Sequence, residues 1–97
     1  MKYLSFTWNY RKAIENKRKH NILFEEAKTA FWDENAIVIS DPDHSDAEER
    51  FLLIGISAHL KLLVVVHCYQ DNDTTIRIIS ARKATRKEEK TYLRRWL

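Results

Sequence analysis

Three stretches decide the fold: Arg50-Phe51-Leu52-Leu53-Ile54-Gly55-Ile56-Ser57, Leu62-Leu63-Val64-Val65-Val66-His67-Cys68-Tyr69 and Thr75-Ile76-Arg77-Ile78-Ile79-Ser80-Ala81-Arg82-Lys83. Each is dominated by branched apolar and aromatic side chains, the composition of strands. The polar breaks between them, Ala58-His59 and Asp71-Asn72-Asp73, are short. Strands joined so closely pair antiparallel, because a parallel crossover needs a dozen residues or more. Leu62 to Val66 is apolar at both parities, which marks a central strand covered on both faces.

Working outward, Ala36 to Ile39 reads as another strand, followed by a loop rich in turn formers from Ser40 to Asp46. Met1 to Thr7 reads as a short first strand. Asn9 then suits a helix N-cap, with helix from Tyr10 to Lys19 whose thin apolar stripe is Tyr10, Ala13 and Ile14. Lys17, Arg18 and Lys19 suit its negative dipole end, and Asn21 tolerates the left-handed conformation that ends helices. Phe24, Ala27 and Phe31 share one face of a second helix, Phe24 to Trp32. Thr85-x-x-Glu88 is a capping box that opens a helix from Arg86 to the end, with Glu89, Tyr92, Leu93 and Trp96 on one stripe. The order β-α-α-β-β-β-β-α predicts an α+β fold, a small antiparallel sheet with helices packed on it.

Ninety-seven residues suffice for one domain, residues 1–97, and are too few for two. One Gly and one Pro exclude a disordered or Pro-rich linker protein, and the single Cys68 excludes a disulfide framework. Leu62 to Val66, the longest apolar run, falls far short of the roughly 20 residues of a membrane helix. With no targeting segment at the start, the expected location is cytoplasmic, with no membrane partner. The formal charge of +3 hides blocks: residues 33–49 hold seven Asp/Glu and no Lys or Arg, while residues 50–97 hold ten Lys/Arg and four Asp/Glu. Such basic regions attract a polyanion such as nucleic acid, or simply solvate helix faces.

Hairpin arithmetic proposes a site. A first turn centred between His59 and Leu60, and a second on Asn72, would set Arg50, His67, Tyr69 and Arg77 on one sheet face, with Leu53, Val64, Val66, Ile76 and Ile78 on the other. Arginine forks match phosphate oxygens, and histidine moves a proton near neutral pH. Together they are the parts for metal-free RNA cleavage, with Tyr69 available to stack on a base. Edge arginines solvating the sheet and a half-buried histidine remain the alternative. Lys19-His20 is a second candidate, otherwise a dipole-complementing helix end. Arg77 and Arg82 have opposite strand parity, so either a bulge or the strand's end re-aims Arg82, or one of the two is not catalytic. No ligand spacing supports a metal, and no cofactor motif is present: Gly55 is the only glycine, so no phosphate loop exists. Cys68 and His67, adjacent on a strand, point to opposite faces and cannot form a nucleophilic pair.

Taken in order, the residues Phe6-x-Trp8, Lys12, Asn16-x-x-Lys19-His20, Phe24-Glu25-Glu26-Ala27, Phe31, Asp33, Asp41 to Asp43, Glu49-Arg50-Phe51, Gly55, Arg77-Ile78-Ile79-Ser80-Ala81-Arg82, Ala84, Arg86, Glu88 and Tyr92 resemble the BrnT family of bacterial type II toxins. The resemblance implies a RelE-like ribonuclease that arrests growth by cutting RNA and inhibiting translation. It also implies a BrnA-like ribbon-helix-helix antitoxin, whose complex with the toxin represses its own promoter, so that promoter DNA is met only through the antitoxin. Carried over, it gives Lys19, His20, Arg50, Arg77 and Arg82 as functional positions; His67 comes from the register argument. The expected catalytic set is therefore Lys19, His20, His67, Arg77 and Arg82, with Arg50, Tyr69, Lys83 and Arg86 binding RNA. Asn9 and Asn21 stand where the family usually has aspartate and glycine, and both keep the local cap geometry. A non-catalytic nucleic-acid-binding module, or an antitoxin partner acting only in autorepression, is the alternative.

Overall fold

A computed structural model describes residues 5–42 and 48–94. The elements are β1 (Ser5–Trp8), α1 (Tyr10–His20), α2 (Phe24–Thr29), a 3-10 turn (Ala30–Trp32), β2 (Ile37–Ser40), β3 (Phe51–Ile56), β4 (Leu62–Gln70), β5 (Thr75–Lys83) and α3 (Arg86–Leu93). The α+β order matches the sequence reading, except that the second helix tightens to 3-10 after Thr29. Residues 1–4 of the first strand, 43–46 of the acidic loop and Trp96 of the last stripe lie outside the described residues.

The five strands form one sheet in the order β1-β5-β4-β3-β2. β2 to β5 pair antiparallel in sequence, while β1 pairs parallel with β5, so the sheet is mixed rather than wholly antiparallel. β4 is central, and Leu63, Val64 and Val65 are fully buried because both faces are covered. On one face, Ile22, Phe24, Ala27 and Ala30 of the α2 region pack on Leu53, Leu63, Val65, Ile76, Ile78 and Ala81. On the other, Tyr92 of α3 packs on Ile54 and Val64. Each fully buried Leu, Ile, Val or Phe contributes about 1.5–3 kcal/mol relative to exposure. Gly55 lets β3 pass close to the 3-10 turn: a Cβ there would lie 2.9 Å from the Ala30 carbonyl oxygen.

Local capping follows the sequence. Asn9 accepts a hydrogen bond from the Lys12 amide at 3.1 Å, and Asn21 ends α1 with φ 59°. The Thr85–Glu88 box closes both ways, at 2.8 and 3.2 Å. The apolar stripe expected on α1 is corrected: Tyr10 is 76% and Ile14 52% exposed, and the residue α1 buries is Asn16. The cause is the end of β1. Trp8 pairs with Ile78, so beyond it the β5 edge has no neighbouring strand. Asn16 supplies the missing partner: its amide donates to the Ala81 carbonyl at 2.8 Å and accepts from the Ala81 amide at 2.9 Å. It also donates to the Ile22 carbonyl at 3.0 Å, fixing the chain as it leaves α1. Three hydrogen bonds need a polar side chain where a heptad-like pattern calls for an apolar one.

Candidate nucleic-acid interface

The register differs from the expectation by one residue in each hairpin. His67 stands opposite Phe51 and Ile78, where Leu52 and Arg77 were expected. Because successive strand residues alternate faces, each slip changes which residues share a side. The polar group Arg50, His67, Tyr69 and Arg77 therefore does not form. His67 and Tyr69 join Leu53, Ile76 and Ile78 on the helix-covered face, while Val64 lies with Ile54 on the α3 face.

His67 is fully buried among the rings of Phe31, Phe51 and Tyr69. Its Nδ1 donates to the Val65 carbonyl at 3.0 Å, and Nε2 lies 3.3 Å from the Tyr69 hydroxyl. A carbonyl can only accept, so the ring is held as one neutral tautomer. Burial pushes its pKa down more strongly than the Val65 bond raises it. The imidazole is a packed core group, out of reach of a substrate. Burial and nearby Asp73 likewise push the Tyr69 hydroxyl upward.

On the opposite face an irregularity puts Arg77 and Arg82 on the same side of β5. Cys68 pairs with Arg77, Val66 with Ser80 and Val64 with Arg82, while His67 pairs with Ile78. Ile79 is thus an extra residue, a β-bulge in β5. Residues 64, 66 and 68 of regular β4 share one face, so Arg77, Ser80 and Arg82 share it too. The sequence signal was the doublet Ile78-Ile79, which interrupts the alternation of the strand.

The three arginines differ in their partners. Arg82 is closed by a two-pronged pair with Glu88, at 2.8 and 2.9 Å. That bond is the main reason the Glu88 carboxyl is lowered to about 2 and the Arg82 guanidinium raised further. Arg50 stands 3.5 Å from Glu48, and its buried Nε makes no hydrogen bond among the described residues. Arg77 has no carboxylate partner among the described residues. Arg50 and Arg77 both act electrostatically on Cys68, whose thiol is nonetheless raised, first by burial and then by Glu48. Such a thiol is a poor nucleophile.

Lys19 and His20 end α1 and are exposed. With Lys12, Glu15, Asn16, Ile79 and Ser80 they line a groove of about 160 Å³ beside the bulge. Asn16 sets this proximity by binding α1 to the edge of β5. Lys83 and Arg86 are exposed where β5 passes into α3. A larger cleft of about 490 Å³ is lined by Glu48, Glu49, Phe51, Cys68, Tyr69, Gln70 and Asp73. Its three carboxylates oppose a phosphate, so the smaller basic groove is the better anion site. No group of three or more His, Cys, Asp or Glu side chains among the described residues is placed to hold a metal ion. No described helix is long and apolar enough to cross a membrane.

Residues 8–88 match the family model described as the ribonuclease toxin BrnT of type II toxin–antitoxin systems. The chain belongs to the BrnT family. Its fold is similar to the crystal structure of the Brucella abortus ribonuclease toxin BrnT, with a TM-score of 0.65 at 22% identity, covering 86% of this chain and 99% of that one. No curated protein matches the sequence. The BrnT match spans α1, the bulge and the capping box, and so includes Lys19, His20, Arg77, Arg82 and Glu88. Membership in this BrnT family brings a toxin role, a ribonuclease description and an antitoxin partner at family level.

Proposed function

We propose that this protein is an endoribonuclease toxin that cleaves RNA without a metal, inhibits translation and growth, and is neutralised in the cytoplasm by a BrnA-like ribbon-helix-helix antitoxin. The observation that carries the reading is the bulge at Ile79, which leaves Arg77, Ser80 and Arg82 on one face of β5, with Ser80 also lining the Lys19–His20 groove. In this reading His20 takes the proton of a ribose 2′-hydroxyl, and the freed oxygen attacks the adjoining phosphorus. The bond to the 5′-oxygen breaks, and that oxygen takes a proton back from the imidazolium. Arg77 and Lys19 hold the charge that builds on the phosphoryl oxygens. Arg82, already paired with Glu88, buttresses this face, and Arg50, Lys83 and Arg86 extend the basic track for the RNA backbone. Tyr69, which lines the acidic cleft, would stack on a base rather than hold phosphate. An acidic segment of the antitoxin would cover the same basic side chains, and promoter DNA would be met only through the toxin–antitoxin complex.

A second reading, a non-catalytic nucleic-acid-binding or co-repressing module, is favoured by the closed Arg82–Glu88 pair and the buried His67. Induced expression without the antitoxin, followed by growth and transcript integrity, separates the two. Growth arrest with cut transcripts, together with cleavage by the purified protein in excess chelator, is the expected result. Normal growth with intact RNA supports the second reading instead.

A further inference from the structure

The outer strand β2 presents an edge that no described strand covers. It is last in the sheet order and pairs with β3 alone. The Asp41 amide donates to the Arg50 carbonyl at 3.0 Å, which makes 41 and 50 a hydrogen-bonded pair. Pairs alternate along an antiparallel ladder, so Ile39 with Leu52 and Ile37 with Ile54 are also hydrogen-bonded pairs. The N–H and C=O of Val38 and Ser40 therefore point away from the sheet, and no described residue pairs with them.

The side chains of this edge are apolar on both faces. Val38 is 47% exposed on the α2 side, opposite Leu53, and Ile39 is 43% exposed on the α3 side, opposite Leu52. Native edges of this kind are ordinarily guarded by lysine, proline or a bulge. Here residues 37–40 contain none of the three. The charge carried by the described residues on either side of β2 is predominantly negative: Asp33, Glu34, Asp41, Glu48 and Glu49 outnumber the one cation, Arg50. A second copy of this chain would bring two such segments within a strand spacing of about 4.8 Å, which like charge opposes. A basic strand meets the opposite field and pairs with both open backbone groups.

We propose that the β2 edge is a docking site for an extended, lysine- or arginine-rich protein segment, which adds to the sheet as a sixth strand. Main-chain bonds to Val38 and Ser40 supply the pairing, the apolar side chains of Val38 and Ile39 supply burial, and the acidic flanks select a basic partner. The site lies on the far edge of the sheet from β1 and is independent of the ribonuclease reading.

The test uses the full chain with an acetylated, amidated hexapeptide of alternating lysine and valine, and the same peptide with glutamate in place of lysine. Titration followed by amide resonances is expected to show saturable binding of the lysine peptide, with the Val38 and Ser40 amides gaining protection from exchange. Val38→Pro removes one outward donor but none of the bonds to β3, a position where edge strands accept proline. It should bind at least about tenfold more weakly, through a lost hydrogen bond and lost side-chain contact. If Val38→Pro fails to fold by circular dichroism, Val38→Lys serves instead, placing a like charge against the peptide. Arg77→Ala should bind as the wild type does, which keeps this result separate from RNA cleavage. Equal binding of the glutamate peptide, undiminished binding by the folded Val38 variant, no binding at all, or self-association through β2 would each overturn the proposal.

Discussion

Replacing Asn16 by alanine should damage both the fold and the groove that the proposed chemistry needs. Asn16 is 5% exposed and makes three hydrogen bonds, at 2.8 and 2.9 Å to Ala81 and 3.0 Å to Ile22. Each such bond contributes about 1 kcal/mol net, and buried groups left unpaired cost more, so the loss should be roughly 3 kcal/mol. A chain of this size has a total stability of only about 5–15 kcal/mol, so the change is large. In urea unfolding, with a slope of about 1–3 kcal/mol/M, the midpoint should fall by roughly 1–3 M. Asn16→Asp should cost at least as much at neutral pH, because a carboxylate faces the carbonyls of Ala81 and Ile22 with no proton to give. Both variants should also lose cleavage under conditions where they remain folded, since Asn16 binds α1, and with it Lys19 and His20, to the β5 edge. A midpoint within about 0.3 M of the wild type would refute the claim that this side chain substitutes for a missing strand.

Two further outcomes follow from the same geometry. Glu88 is held at about 2, well below its ordinary 4.5, so its pairing with Arg82 is fully present above pH 4.5 and is lost as pH falls toward 2; Glu88→Gln should therefore be less stable than the wild type by about 1 kcal/mol at pH 6, after allowance for partial solvent screening, and the gap in urea midpoint should close as pH falls through that window. His67→Phe, placed among Phe31, Phe51 and Tyr69, should leave RNA cleavage unchanged in the folded protein, because the imidazole is sealed in the core; a cleavage defect in a folded variant would show that His67 does reach the substrate.

Much of the architecture was legible because it rests on local chemistry. Asn9, Asn21 and the Thr85–Glu88 box each act within a few residues, and each adopts the geometry its side chain favours. The apolar run from Leu62 to Val66 could only be buried on both faces, and β4 is central. What was not legible depends on distant contacts. The β3–β4 turn has Leu60 at φ 61°, and the β4–β5 turn has Asp71, Asn72 and Asp73 all at positive φ; these left-handed residues shift each hairpin by one position. That single step moved His67 from a presumed site into the core. The bulge at Ile79 puts Arg77 and Arg82 on one face, an outcome that the alternation of β5 left open. Asn16 was hidden for a different reason: its partner, Ala81, is 65 residues away, and a polar residue in a weakly amphipathic helix looks solvent-facing.

The central claim is that Arg77, carrying no described carboxylate partner on the α3 face, holds the phosphate whose bond is broken. The cleavage rate of a labelled RNA by purified Arg77→Ala, measured in chelator beside the wild type and beside Arg11→Ala on exposed α1, tests it most directly. Loss of a cation that steadies the transition state should slow Arg77→Ala by about 10²–10³-fold, with Arg11→Ala close to the wild type. Equal rates for wild type and Arg77→Ala, with both proteins folded, would contradict the account.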